Sequence, residues 1–123
     1  MSQSPAYLQT KVIEVTTPSE NSFIDLSAPA YGLPERIYLY GVSSNTIIND
    51  SCTGYQEFYD GSSGTQLLSF DIDAQGFPQV AMLKPFSSFM EEESHILISS
   101  GLNLYFNEPT GNVLYCSLTV FYK

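Results

Sequence analysis

Several residue types are scarce or absent in this sequence of 123 residues, and each scarcity removes a class of function. Tryptophan is absent, histidine occurs once and cysteine occurs twice. Lys and Arg together number 4 against 13 Asp and Glu, which gives a formal net charge of −9. Such a charge repels a phosphate backbone, so nucleic acid is not expected as a partner.

Long apolar runs are also lacking. No segment approaches the roughly 18 apolar residues that a membrane-spanning helix needs, and residues 1–7 carry neither the basic nor the apolar region of a secretion signal. We therefore expect no membrane partner and synthesis in a cytoplasm. Cys52 lies in a Ser/Thr/Gly segment and Cys116 in an apolar alternating run, so free thiols are expected in place of a disulfide.

Apolar and aromatic residues, by contrast, are plentiful and arranged for β structure. Hydrophobic residues make up 43% of the chain and include 9 Tyr and 8 Phe, enough for one core without metal or disulfide. They alternate with polar residues at a period of two, and turn residues recur at short intervals. The pattern predicts strands at residues 9–17, 22–27, 36–43, 55–60, 66–72, 78–84, 95–99, 102–107 and 113–122.

Short strands in this number predict an all-β fold, a two-sheet antiparallel sandwich that is jelly-roll-like and has an extended N-terminal arm. Residues 1–17 are expected to be this arm or the first strand, and residues 18–123 a single β-sandwich domain. Alternation in the last predicted strand assigns one set of side chains to the core. This set is Leu114, Cys116, Leu118, Val120 and Tyr122.

Two acidic segments invite a metal-binding interpretation. Residues 71–76 resemble the start of a calcium loop, but the twelfth position is Met82 where the bidentate acid belongs, which favours an acidic turn. Residues 91–93 are three glutamates, a run typical of a solvated loop. The sequence therefore predicts no metal site.

Catalytic groups are not arranged in a recognisable pattern either. His95 has no Ser, Cys or carboxylate at a spacing that marks it as a base. The pairs Glu57/Asp60 and Asp71/Asp73 offer the two acids of a glycosidase, but such pairs occur in nearly every acidic sandwich. We expect neither catalytic residues nor a cofactor.

Four short motifs follow one another from residue 36 to the end of the sequence. They are IYLYGV at 37–42, FYDGSSGT at 58–65 with two leucines following, SGL at 100–102 and TVFYK at 119–123. In this order they resemble small β-sandwich virion proteins of tailed bacteriophages, of the kind that decorate or cement capsids. The resemblance covers roughly two thirds of the chain. The polar residues 43–54 and the acidic loop at 91–93 look like insertions specific to this protein.

The resemblance implies a non-enzymatic structural protein of the virion, assembled in the host cytoplasm. It implies a homo-oligomer, a trimer, bound to the major capsid protein or another virion protein. A fibre, tail or neck component built on the same sandwich is the alternative within this class. A carbohydrate-binding β-sandwich module is the alternative outside it.

Candidate contact residues lie in the N-terminal segment and in or near loops. The N-terminal segment is suited to adding a strand to the sheet edge of a neighbour, and the amphipathic ring of a loop tyrosine suits an interface. The candidates for partner binding are Tyr7, Leu8, Val12, Ile13, Tyr31, Tyr55 and Tyr59.

Overall fold

The computed structural model describes residues 8–16, 18, 21–48, 53–62, 64, 66–72, 79–82, 95–107 and 113–123, with residues 79–82 described as backbone. Nine strands lie in this part of the chain. They are β1 Gln9–Thr16, β2 Phe23–Asp25, β3 Ile37–Ile48, β4 Tyr55–Asp60, β5 Gln66–Asp71, β6 Gln79–Met82, β7 Ile96–Ile98, β8 Leu102–Asn107 and β9 Val113–Tyr122.

The strands form two antiparallel sheets with nested pairing. Sheet A has the order β1-β9-β3-β6, with β7 also paired to β3, and sheet B has the order β2-β8-β4-β5. The first strand pairs with the last, β2 with β8, β3 with β6, and β4 with β5. This nesting is the double Greek key of a jelly roll. The predicted all-β, two-sheet sandwich is confirmed.

Within the described residues, each predicted strand overlaps an observed strand with bounds that differ by at most about two residues, except at the end of β3. The sequence predicts an end at residue 43, whereas β3 continues to Ile48. Ser44 and Thr46 are buried and Asn45 is exposed, so the alternation persists with small polar residues on the core side. Part of the segment interpreted as an insertion is therefore strand, and residues 49–52 lie outside the described residues.

The core fills the space between the two sheets. Removing each large apolar side chain from water contributes about 1.5–3 kcal/mol. Side chains with no exposed surface include Leu39 and Val42 of β3, Phe58 of β4, Leu104 and Phe106 of β8, and Leu118 and Val120 of β9.

A bulge changes which residues of β9 face this core. The register passes from Ile47↔Tyr115 to Ile48↔Val113, so Leu114 is an extra residue on β9. Val113 is buried while Leu114 is 40% exposed. The assignment of Leu114 to the core is wrong because the bulge moves the inward set by one position.

A glycine corner between β7 and β8 fastens one end of the sandwich. Gly101 has a φ of 90°. Its N–H donates to the Glu35 carbonyl at 3.0 Å, and its carbonyl accepts from the Gly61 N–H at 2.8 Å. The adjacent Ser100 N–H donates to the Asp60 carboxylate at 2.9 Å. The corner therefore joins the end of β4 to the segment that precedes β3.

Gly101→Ala should destabilise the protein by about 1–3 kcal/mol, since a side chain is strained at this φ. The added Cβ would also lie 2.6 Å from Ser27 Oγ and 2.9 Å from Asp25 Oδ1. Urea denaturation measures the free energy of unfolding. Ser100→Ala, at the exposed neighbouring position, is the control. Equal stability of the two variants would contradict the close packing of this corner.

Candidate functional site

The edge strand β1 carries the exposed part of the predicted N-terminal contact residues. Within the described residues, β1 pairs with β9 on one side and ends sheet A on the other. Val12 is 60% exposed and Leu8, just before the strand, is 43% exposed. Ile13 is buried in the core of its own sandwich, so its side chain is not available to a partner. Tyr7 lies outside the described residues.

The three predicted contact tyrosines that lie within the described residues are not all on one surface. Tyr31, in the loop after β2, is half-buried and packs against the core. Tyr55 and Tyr59 both belong to β4 and alternate onto the same, outer side of sheet B. Tyr55 is 50% exposed and Tyr59 is half-buried. The structure thus places two of the three on one surface.

This surface, the sheet B face, consists of three rows of side chains set by strand register. Tyr55, Glu57 and Tyr59 of β4 each lie between a residue of β8 and a residue of β5. In order along β4 the rows are Asn107–Tyr55–Asp71, then Phe23–Tyr105–Glu57–Ser69, then Asp25–Asn103–Tyr59–Gln66. The sequence pattern did not identify these rows because they depend on strand order.

Three rings form an aromatic cluster on the sheet B face. Phe23 lies 5.1 Å from Tyr59 and 4.7 Å from Tyr105, measured between ring centroids, and the two tyrosine rings are 6.1 Å apart. Two of the three pairs are edge-to-face. Such pairs contribute about 0.5–1.5 kcal/mol beyond the area that they bury, so the cluster is a rigid platform.

Glu57 lies beneath these rings and is only 6% exposed. Its carboxylate accepts a hydrogen bond from the Tyr59 hydroxyl at 2.6 Å and one from Asn107 Nδ2 at 3.1 Å. The hydrogen bond to Glu57 and, to a smaller extent, burial raise the pKa of Tyr59 to about 12. Tyr59 therefore stays protonated, and the carboxylate holds it and Asn107 in fixed positions.

The pKa of Tyr59 predicts a pH dependence of stability. A raised pKa contributes stability that is fully present below the ordinary value of 10.0 and is lost as the pH rises through about 12. Tyr59→Phe should therefore lose less free energy of unfolding than the wild type between these two pH values. Urea unfolding at a series of alkaline pH values tests this, with Tyr38→Phe on the other sheet as control. Identical pH profiles for Tyr59→Phe and the wild type would contradict the assignment.

A cleft opens beside Tyr55, at the end of the sheet B face. This Tyr55 cleft has a volume of about 300 Å³, and the described residues that line it are Thr53, Gly54, Tyr55 and Asp71. The Ile72 N–H donates to the Gly54 carbonyl at 3.1 Å, which fixes the residues before β4 against the end of β5. The volume is at the lower end of the range of small-ligand sites, and the described part of the lining offers the Tyr55 ring and the Asp71 carboxylate.

A second cleft lies where the end of β9 meets β3 and β7. It has a volume of about 500 Å³ and is lined by Tyr38, Tyr40, His95 and Lys123. The imidazole lies 5.1 Å from the Tyr38 ring and 5.3 Å from the Tyr40 ring, and Lys123 Nζ lies 5.0 Å from the Tyr40 ring. No serine, cysteine or carboxylate side chain is among these described lining residues, and the imidazole is packed between rings.

A polar trio in the core links the two sheets. Ser44 Oγ of β3 donates to Gln56 Oε1 of β4 at 2.6 Å, and Cys116 Sγ of β9 lies 3.6 Å from Ser44 Oγ and 3.7 Å from Gln56 Oε1. Cys116 is a free thiol, as predicted. Burial raises its pKa to about 11. The thiolate needed for nucleophilic chemistry is therefore scarce at neutral pH.

In a Cys52→Ser variant, Cys116 should react very slowly with a disulfide reagent such as DTNB at pH 8. With a pKa of about 11, only about one thiol in a thousand is ionised, and burial blocks access. Absorbance of the released thiolate follows the reaction. Unfolding in guanidinium should expose one equivalent of thiol. Prompt reaction of the native variant would refute this.

Comparisons with protein-family models, with curated proteins and with solved structures give no match for this chain. In the described part of the chain, no helix has the length and apolar character to cross a membrane. No group of three or more His, Cys, Asp or Glu side chains there is placed to hold a metal ion. The surfaces are therefore interpreted from their own geometry.

Proposed function

We propose that this chain is a non-enzymatic structural protein of a virion, which decorates or cements the capsid of a tailed bacteriophage through protein–protein contacts. The observation that supports it most directly is the edge strand β1, which within the described residues pairs on one side alone and is eight residues long with Val12 60% exposed. Natural proteins shield long edge strands unless another chain uses them. A strand from a neighbour adds to such an edge through backbone hydrogen bonds.

The one lysine of β1, Lys11, has its ammonium group against a neighbouring loop. Lysine on an edge strand commonly prevents strand addition. Here Lys11 is half-buried and its Nζ is turned toward the loop after β2, 3.0 Å from the position of a Cβ on Gly32. Along this edge Thr10, Val12, Glu14 and Thr16 are exposed. This arrangement is compatible with a partner strand that runs parallel or antiparallel to β1.

The partner in this proposal is the major capsid protein or another virion protein, and the chain acts as a homo-oligomer, a trimer, assembled in the host cytoplasm. The order of the four motifs from residue 37 to residue 123 supports this class. A shell presents many identical sites, and each bound copy stabilises the shell by mass action without chemistry.

The proposal is tested on particles purified by density from the source that carries this gene. Peptide mass spectrometry should find the chain in the particle band. Its copy number should be a fixed multiple of the number of symmetry-equivalent positions in the capsid. A copy number of a few per particle would instead indicate the fibre, tail or neck component. Absence of its peptides from the particles would overturn both.

Val12→Asp should weaken rebinding of the purified protein to particles stripped of it by about tenfold or more, because a charge in the middle of the edge opposes strand addition. Ile47→Asp is the matched control, since Ile47 is also apolar and exposed on sheet A but belongs to the inner strand β3. Co-sedimentation measures rebinding, and thermal melts check folding. Equal loss in both variants would show that β1 is not the docking edge.

A further inference from the structure

The Tyr55 cleft lies at the β4–β5 end of sheet B, away from the β1 edge. Lys11 of β1 approaches Gly32 in the loop after β2, so β1 and β2 end their sheets on the same side. β4 and β5 are at the other end of sheet B. The Tyr55 cleft, which lies between their ends, therefore stays accessible when another chain pairs with β1.

We propose that the Tyr55 cleft and the adjoining sheet B face form a binding site for a neutral oligosaccharide. The inference goes beyond the proposed structural role and does not depend on it. It concerns binding without catalysis.

The lining of the cleft has the groups that recognise a sugar ring. Tyr55 is 50% exposed and offers an aromatic surface against which the apolar C–H groups of a pyranose pack. Asp71, its exposed neighbour across the β4–β5 pair, offers a carboxylate that accepts hydrogen bonds from hydroxyl groups. On the adjoining sheet B face, Asn107 of β8 is the half-buried neighbour of Tyr55, and its Nδ2 donates to Glu57. One ring flanked by hydrogen-bonding groups suits a ligand with apolar and hydroxyl surfaces.

The same face continues from Tyr55 along β4 for more than one sugar ring. At about 3.4 Å per residue, Tyr59 follows Tyr55 by about 14 Å. Between them, Glu57 is a positioning residue that binds both the Tyr59 hydroxyl and Asn107 Nδ2. The ordered rings and amide lose little conformational entropy when a ligand binds, which favours affinity.

Charge and polarity select the class of ligand. Asp71, Glu57 and Asp25 lie on this face, and the chain carries a formal net charge of −9. An acidic or sulfated sugar would be repelled. A protein partner would be expected to bury a more continuous apolar centre than a cleft with a carboxylate in its wall. Neutral hexose oligosaccharides fit both constraints.

The test is a glycan array carrying neutral and anionic oligosaccharides, followed by calorimetric titration with the neutral tetrasaccharide that gives the strongest signal. Tyr55→Ala should lower the affinity by about tenfold or more, and Asp71→Asn by severalfold, as expected for central contacts. Tyr38→Ala is the matched control because Tyr38 is a 42% exposed tyrosine on sheet A. It should bind within about twofold of the wild type.

Four outcomes would overturn the inference, and the first three concern the wild type and the two tyrosine variants. They are no binding to any neutral glycan, binding confined to anionic glycans, and equal affinity of Tyr55→Ala and Tyr38→Ala. Val12→Asp should retain glycan binding, which separates this inference from the capsid proposal. Loss of glycan binding in a folded Val12→Asp variant would place the sugar contact at the edge strand and would also overturn it.

Discussion

The antiparallel pairing of β4 with β8 determines what each side of sheet B can do. The pairing runs through six residue partners without a shift. It directs Gln56 and Phe58 toward the core and Tyr55, Glu57 and Tyr59 toward the outer face of sheet B, where Glu57 is covered by its neighbours. A slip of one residue would exchange these two sets, exposing Phe58 and burying a carboxylate against apolar side chains. The register is therefore strongly specified, and the rows on the outer face follow from it.

The same register places the side-chain amide of Gln56 in the core, where it forms a hydrogen bond with a residue of the opposite sheet. Gln56 is 1% exposed, and its Oε1 accepts from Ser44 Oγ of sheet A at 2.6 Å. Within the described residues, no buried side-chain nitrogen or oxygen lacks a hydrogen-bond partner. An unpaired amide would cost about 1–3 kcal/mol. The hydrogen bond from Ser44 consequently fixes how the two sheets are positioned relative to each other. Apolar contacts alone specify this position less sharply.

Local patterns in the sequence predicted the strands better than the surfaces. The bounds of β4, β8 and β9 agree with the prediction because turn-forming residues such as Gly54, Gly61, Gly101 and Gly111 flank these segments in the sequence. The end of β3 was missed because Ser44 and Thr46 occupy core positions, and Leu114 was misassigned because a bulge depends on the partner strand. Of the seven contact candidates, Tyr55 and Tyr59 lie on the sheet B face. Their neighbours Asn107 and Asp71 come from other strands, so strand order was needed to find them.

The acidity of the chain constrains how its surfaces meet other molecules. Copies with a net charge of −9 repel one another at long range. That repulsion is screened within about 10 Å at 0.1 M salt, whereas backbone pairing at an edge acts at contact distance. The β1 edge, where Val12 is 60% exposed, has no second strand partner among the described residues, so backbone pairing there is not opposed by long-range repulsion once the salt screens it. On the sheet B face the same negative charge disfavours the approach of anions. The net negative charge is thus compatible with contact at the β1 edge and with the approach of uncharged molecules to the sheet B face.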